Sequence, residues 1–300
     1  MNHPKDDQIY YLTYSDSDEV WGTIVTTTGY QHIEPHSVYP PLKHPEQYFF
    51  ESKKGRILND YQFVYIIKGE GVFSSSKCKE HPIKEGDIII LFPGEWHNYH
   101  PNEETGWDEY WVGFKGLYIE QLISNNIFSH ENPVLELGIS GSLLSLFTDL
   151  LRTAGHEKAG FQIMLAGILQ HITSTIIYKS KNQAFADSYI LDKLSEARLL
   201  MKQQIENPSS PEEIAAQLGV GYSWFRRSFK DYTGISPAQY QIQLRLIRAK
   251  ELLSRTSLNI SEIAYKLHFE NGGQFATFFK KREGLTPKEY REWFLADKQD

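Results

Sequence analysis

Apolar positions along the chain change their spacing twice, and the changes divide it into three stretches. Up to about Leu117, short aromatic and β-branched runs alternate with turn residues. The run over 61–67 (YQFVYII) breaks at Lys68-Gly69-Glu70-Gly71, read as a turn, and resumes at Val72-Phe73. A second turn is predicted over 83–87, followed by a strand over 88–92 and a stop at Pro93-Gly94; residues 110–114 form a further strand. Several short strands at regular spacing predict an all-β sandwich or barrel.

Helical spacing follows. Leu143, Leu144, Phe147, Leu150 and Leu151 form one apolar stripe, and Phe161, Met164, Leu165, Ile168, Leu169 and Ile172 another, separated by the polar stretch 153–160. Their faces either pack on the strand-rich part or form a seam between two copies of the chain. Residues 181–188 lack periodicity and read as a linker. From Ile190 onward the chain is helical and repeats itself. Ile214, Ala215 and Leu218 return 49 residues later as Ile263, Ala264 and Leu267. At an offset of 50, Phe225, Phe229, Lys230, Gly234, Pro237 and Tyr240 return as Phe275, Phe279, Lys280, Gly284, Pro287 and Tyr290. So many matches in one register point to two copies of one unit.

Composition narrows the class. Three hundred residues suit two domains, and 40% hydrophobic with 14% aromatic content supports packed cores. The polar N-terminus predicts no signal peptide, and no run approaches the ~18–20 apolar residues of a membrane span. Cys78 is single, which excludes an internal disulfide and suits a reducing, cytoplasmic location. The net charge of −7 is unevenly spread: residues 188–300 carry 17 Lys+Arg against 14 Asp+Glu, and the remainder 14 against 24. An acidic module is therefore joined to a mildly basic one.

The repeat has the local chemistry of a helix-turn-helix. Ser210-Pro211-Glu212-Glu213, Ser236-Pro237-Ala238-Gln239 and Thr286-Pro287-Lys288-Glu289 are capping boxes with proline at the first helical position. A short helix buries Ile214, Ala215 and Leu218, Gly219-Val220-Gly221 turns the chain, and a second short helix buries Phe225 and Phe229 before Thr233-Gly234 stops it. Its opposite face carries Ser223, Arg226, Arg227 and Lys230. Arginine reads guanine edges bidentately and lysine neutralises phosphate, so this face suits the major groove of double-stranded DNA. The plainer alternative is a solvated basic face.

These residues resemble the DNA-binding domain of AraC/XylS-type transcription regulators. The agreement runs over 190–293 and includes IAAQLGV, WFRRSFKDYTGISPAQY, RLIRAKELL, ISEIAYKLHFEN and FATFFKKREGLTPKEYR. The resemblance implies seven helices, two of them recognition helices entering major grooves ~34 Å apart. The second copy departs from the pattern, with Thr277 where Arg is common and Gly273, after Gly272, where Ser is usual. Glycine weakens a helix, so the second recognition helix is expected to contribute mainly backbone contacts. Its contact positions are Gly273, Gln274, Thr277 and Lys280, with Asn271 as N-cap.

In the strand-rich part, residues 86–97 (GDIIILFPGEWH) resemble the second motif of cupin barrels. Together with 107–116 (WDEYWVGFKG) they resemble the effector-binding domain of sugar-responsive AraC-type proteins. Many cupins are metal enzymes, but the strand over 61–65 holds no histidine of a first motif, and His97 alone makes no metal site. No G-x-S-x-G, Walker A, Rossmann or H-E-x-x-H pattern occurs. Trp96, His97, Tyr99, Trp107, Tyr110 and Trp111 supply flat faces suited to sugar stacking, or else are core. Alternation places Glu109 and Trp111 on one strand face and Tyr110 on the other. By position, the resemblance implies effector contacts at Arg56, Tyr99, Glu109 and Trp111.

The expected architecture is α+β with two domains: a cupin or jelly-roll barrel over 1–118 with a helical dimerisation segment over 119–180, a linker over 181–188, and an all-α double helix-turn-helix domain over 189–300. The expected protein is a homodimeric, non-enzymatic regulator, an activator by resemblance, with no cofactor or metal. It would bind DNA and a carbohydrate effector, have no membrane partner, and leave a contact with RNA polymerase open. The alternatives are a constitutive DNA-binding protein whose barrel only dimerises, and a metal-dependent cupin enzyme.

Overall fold

The computed structural model describes residues 4, 6–40, 54–183, 185 and 188–296. It divides into two units, Met1–Gln183 and Ala184–Asp300. In the first unit the elements follow in the order β1 (Gln8–Tyr11), α1 (Asp16–Glu19), β2 (Ile24–Ile33), β3 (Arg56–Ile57), β4 (Tyr61–Ser75), β5 (His81–Lys84), β6 (Asp87–Leu91), β7 (Trp96–Pro101), β8 (Trp107–Lys115), α2 (Leu117–Ser124), β9 (Val134–Glu136), α3 (Gly141–His156) and α4 (Phe161–Gln183).

The strand β4 organises this unit. Its first half pairs with β6 and β8, and its second half with β5 and β7, all antiparallel. The main path of the sheet runs β1-β2-β8-β4-β6-β9, and β3 attaches through β7. Strands β1 and β9 remain at the ends of that path, so the strands do not close. The expected cupin or jelly-roll barrel, and with it the cupin-like reading of the effector domain, is therefore incorrect; the unit is built on an open sheet. Closure is a matter of which distant strands pair, and a local alternation pattern carries no information about that.

Lys68-Gly69-Glu70-Gly71 is likewise not a turn. Strand β4 continues through it, with a register shift against β8 between Ile66 and Lys68 and Gly69 at φ +87°. This is a bulge that bends one long strand from one set of partners to another. A Cβ on Gly69 would lie 2.2 Å from the carbonyl oxygen of Gly106, so glycine is required there.

Alternation along the strands builds two cores. Phe63, Tyr65, Tyr110 and Phe114 point to one face and pack with Phe147, Leu150, Leu165 and Leu169 of α3 and α4. Val64, Ile66, Phe73, Tyr99, Trp107 and Trp111 meet on the other. Each such side chain contributes about 1.5–3 kcal/mol on burial. Gln162 of α4 donates from Nε2 to the carbonyls of Thr13 and Val25, at 2.9 and 3.0 Å, and accepts from the Val25 N–H. It thereby satisfies backbone groups freed by the bulge between Val25 and Thr27 of β2.

By length and composition alone Phe161–Gln183, with an 18-residue window of mean hydropathy 1.2, is the one helix among the described residues long and apolar enough to cross a membrane. Its buried residues, Leu165, Leu169, Ile172 and Ile176 among them, belong to the first core of this unit. It runs through Gln183, and residues 184, 186 and 187 of the expected linker lie outside the described residues.

The second unit is all helical: α5 (Ser188–Gln203), α6 (Pro211–Gln217), α7 (Tyr222–Thr233), α8 (Pro237–Arg255), α9 (Ile260–Lys266), α10 (Gly272–Glu283) and α11 (Pro287–Ala296). It holds two cores, one around Phe225 and Phe229 and one around Phe275 and Phe279. Helix α8 serves both, with Leu244 packed against the first and Ala249, Leu252 and Leu253 inside the second.

Candidate functional site

Two constructions stand out, one in each unit. In the helical unit, α6 and α7 form the first helix-turn-helix and α9 and α10 the second. Helix α6 starts at a complete capping box: Ser210 Oγ accepts from the Glu213 N–H at 3.2 Å, and Glu213 Oε2 accepts from the Ser210 N–H at 2.7 Å. The boxes at Ser236 and Thr286 also form. A fourth, Asn259 with Glu262, starts α9. It escaped the sequence reading because it lacks the Ser/Thr-Pro signature.

The turns match as closely. After α6, Gly219 (φ +68°) closes a Schellman turn, with the Val220 N–H donating to the Ala215 carbonyl at 3.0 Å. After α9, His268 takes the same conformation (φ +61°), and the Phe269 N–H donates to the Ala264 carbonyl at 2.9 Å.

Burying Phe225 and Phe229 leaves Ser223, Arg226, Arg227 and Lys230 exposed on the opposite side of α7. Neither arginine side chain nor the lysine ammonium makes a hydrogen bond or ion pair with another described residue, so this face presents unpaired positive charge. On α10, Phe275 and Phe279 are buried, and Gly273, Gln274, Thr277 and Lys280 are exposed. Here the polar groups are engaged. Gln274 Oε1 accepts from the Glu270 N–H at 3.0 Å, and Thr277 Oγ1 donates to the Gly273 carbonyl at 3.0 Å. Asn271 caps the helix through the Gln274 N–H at 2.9 Å.

In the sheet unit, Arg56 from β3, Tyr99 from β7, and Glu109 and Trp111 from β8 line one cavity, together with Tyr11, Thr27, Gln31, Tyr39, Pro40 and Gln62. The pairing of β3 with β7 sets Arg56 beside this strand, where its Nη2 donates to the Tyr99 hydroxyl at 2.7 Å. Trp111 lies across Gly29 of β2, its register partner, and donates from Nε1 to Thr27 Oγ1 at 3.4 Å. A Cβ on Gly29 would sit 2.2 Å from the indole, so that glycine makes room for the ring. Glycine opposite tryptophan is the one sequence signal for this contact, and strand pairing must be known before it can be read.

About 30 Å³ of the cavity is open to the centre of a water-sized sphere, room for a water or two. Glu109 is 4% exposed, and its Oε2 has no hydrogen-bond partner among the described residues. Burial pushes its carboxyl up to about 8, against the pull of Arg56 and with a further push from Asp7. His97 is also buried and is held down to about 4, chiefly by burial and then by Arg56. Its Nδ1 lies 3.0 Å from the Glu95 carbonyl.

The other aromatics of the sequence cluster lie elsewhere. Tyr110 packs on Phe147 of α3, Trp107 belongs to the second core without lining the cavity, and Trp96 is 37% exposed. Among the described residues, no group of three or more His, Cys, Asp or Glu could hold a metal ion.

Comparison with known proteins gives two family matches, a helix-turn-helix domain over residues 214–292 and an AraC-like ligand binding domain over residues 35–172. The chain is 22% identical to the raffinose operon transcriptional regulatory protein RafR of Pediococcus pentosaceus, over 80% of this chain and 87% of that protein. It is 24% identical to the lactose operon transcription activator of Staphylococcus xylosus, over 76% and 82%. An AraC-type transcriptional regulator of solved structure from Chromobacterium violaceum is 38% identical over 35% of this chain and 93% of its own, with a TM-score of 0.33. The capped, duplicated helix-turn-helix and the two family matches make the chain similar, in both of its units, to DNA-binding transcription regulators of the AraC type.

Proposed function

We propose that this regulator responds to a carbohydrate bound in the sheet-unit cavity, and that α7 is its principal base-reading helix. The observation that carries the effector reading is convergence: three separate strands bring Arg56, Tyr99, Glu109 and Trp111 to one small space. An indole face with a guanidinium, a phenol and a carboxyl around it suits the C–H surface and hydroxyls of a sugar. The names of two relatives, regulators of a raffinose and a lactose operon, point the same way.

A sugar needs more room than one or two waters occupy, so binding displaces part of the lining. Tyr39, whose ring lies 6.4 Å from that of Tyr99 and 5.9 Å from that of Trp107, is the side chain placed to move. Binding must favour one arrangement of the DNA-binding units over another, and in this reading it does so across a homodimer joined through the helices within 119–180. On DNA, Arg226 and Arg227 read bases, and Ser223 and Lys230 hold phosphates. Gly273, Gln274, Thr277 and Lys280 of α10 make backbone contacts. The domain boundaries read from the sequence belong to this same proposal.

A thermal-shift screen against sugars tests the effector reading. Removal of the stacking surface by Trp111→Ala should weaken the responding sugar by ~1–3 kcal/mol, about 5–150-fold. A folded Trp111→Ala protein with unchanged affinity would place the ligand elsewhere.

A further inference from the structure

The carboxyl of Glu109 narrows the chemistry of the ligand. A carboxylate taken out of water normally finds an ion pair or several hydrogen bonds. Among the described residues Glu109 has neither: it is 4% exposed, it makes no ion pair, and no protein group donates to its Oε2. The groups around it come from five parts of the unit. Gln31 of β2 is its register partner, Arg56 comes from β3 and Tyr99 from β7, Tyr39 lies beyond the end of β2, and Asp7 precedes β1.

Arg56 is the one cation among these, and its Nη2 is directed to the Tyr99 hydroxyl rather than to Glu109. Asp7 is a second carboxylate, held by the His32 N–H at 3.1 Å and by Gln31 Nε2 at 3.3 Å. These groups stand beside the aromatic rings of Tyr39, Tyr99 and Trp111. An ammonium at Glu109 would pair with its ionised form, reach the unpartnered oxygen and lie against π faces, a combination that neither a neutral polyol nor an acid provides.

We propose that the effector is an amine-bearing carbohydrate whose ammonium group pairs with Glu109. This rests on the reading of the cavity as the effector site. It carries a proton signature. Burial favours the neutral carboxyl, so at pH 7 most molecules of the free protein hold a proton on Glu109. Pairing with an ammonium favours the ionised form and expels that proton.

The test is calorimetry and thermal shift with D-glucosamine and D-galactosamine, their neutral parent hexoses and the matching uronates. An amino sugar should bind at least about tenfold more tightly than its neutral parent. Calorimetry at pH 7 in buffers of different ionisation enthalpy should show net release of close to one proton, and affinity should rise between pH 6 and pH 7. Glu109→Gln should reduce the preference for the amine to about twofold or less. If that variant does not fold, proton release by the unaltered protein decides the matter.

Tighter binding of a neutral sugar or a uronate, lost in Trp111→Ala, would overturn the amine assignment and leave the carbohydrate site standing. Amine binding without proton release, or with a preference unchanged in Glu109→Gln, would also overturn it. If no member of the panel binds, the carbohydrate site falls as well.

Discussion

The two helix-turn-helix units share the geometry of their aromatic cores and helix ends and differ in the face they show to solvent. Phe225 and Phe229 meet with ring centroids 5.5 Å apart at 63°, and Phe275 and Phe279 at 5.9 Å and 64°. Phe229 meets Tyr240 at 5.3 Å and 75°, and Phe279 meets Tyr290 at 5.3 Å and 72°. Both second helices end on a left-handed glycine, Gly234 or Gly284, whose N–H returns to the Lys230 or Lys280 carbonyl. Outside the core the copies part. One presents two arginines with no internal partner, and the other presents glycines and side chains already bonded to their own backbone. Core packing constrains both copies alike, whereas the exposed face is constrained only by what it touches.

Four experiments break or sharpen this comparison. The largest effect concerns the shared framework: Phe225→Ala and Phe275→Ala should each destabilise the helical unit by about 3–5 kcal/mol, in denaturant unfolding. A cost confined to one copy would show that the cores are not equivalent. The next concerns the divergent faces. Arg226→Ala or Arg227→Ala should cost about 1–3 kcal/mol on the specific DNA site and relax base preference there. Gln274→Ala and Thr277→Ala should each cost less than about 1 kcal/mol, since their polar groups already have partners. Gel-shift titration against specific and scrambled duplexes reads both, and full affinity in both arginine variants would refute α7 as the reading helix.

Lys230→Ala and Lys280→Ala should weaken all sequences alike, each lowering the slope of log affinity against log salt by about 1. A sequence-dependent loss would make either lysine a base reader. The smallest effect lies in the turns. His268 holds a left-handed conformation that glycine holds in the first copy, so His268→Gly should stabilise the unit by about 0.5–1 kcal/mol, and Gly219→Ala should destabilise it by at least as much. Opposite signs in thermal unfolding would mean that the two turns are not built alike.

The helical unit was legible because its determinants are local. A capping box spans four residues, a buried stripe recurs every three or four, and a left-handed turn needs a single glycine. Even there, Asn259 and His268 were missed, since each performs its role without the usual residue type. In the sheet unit strands β4, β6 and β8 were legible from short apolar runs, and alternation placed Glu109 and Trp111 on one face of β8 and Tyr110 on the other. The break at residues 68–71 misled, because a glycine-containing bulge and a glycine-containing turn look the same in one dimension. Strands β1, β2, β3, β5, β7 and β9 and helices α1 and α2 were not individually anticipated.

The sequence by itself determined where helices start and stop, which residues fill the duplicated cores, and which basic side chains are left outside. All of these follow from interactions within a few residues along the chain. Only the tertiary structure decided that the sheet stays open, that β4 bends between two sets of partners, and that Arg56, Tyr99, Glu109 and Trp111 converge on one cavity. It also decided that the carboxyl of Glu109 is buried there with no donor to Oε2 among the described residues. These depend on pairing between strands tens of residues apart, whose geometry is set by the sum of many weak contacts and not by any one segment.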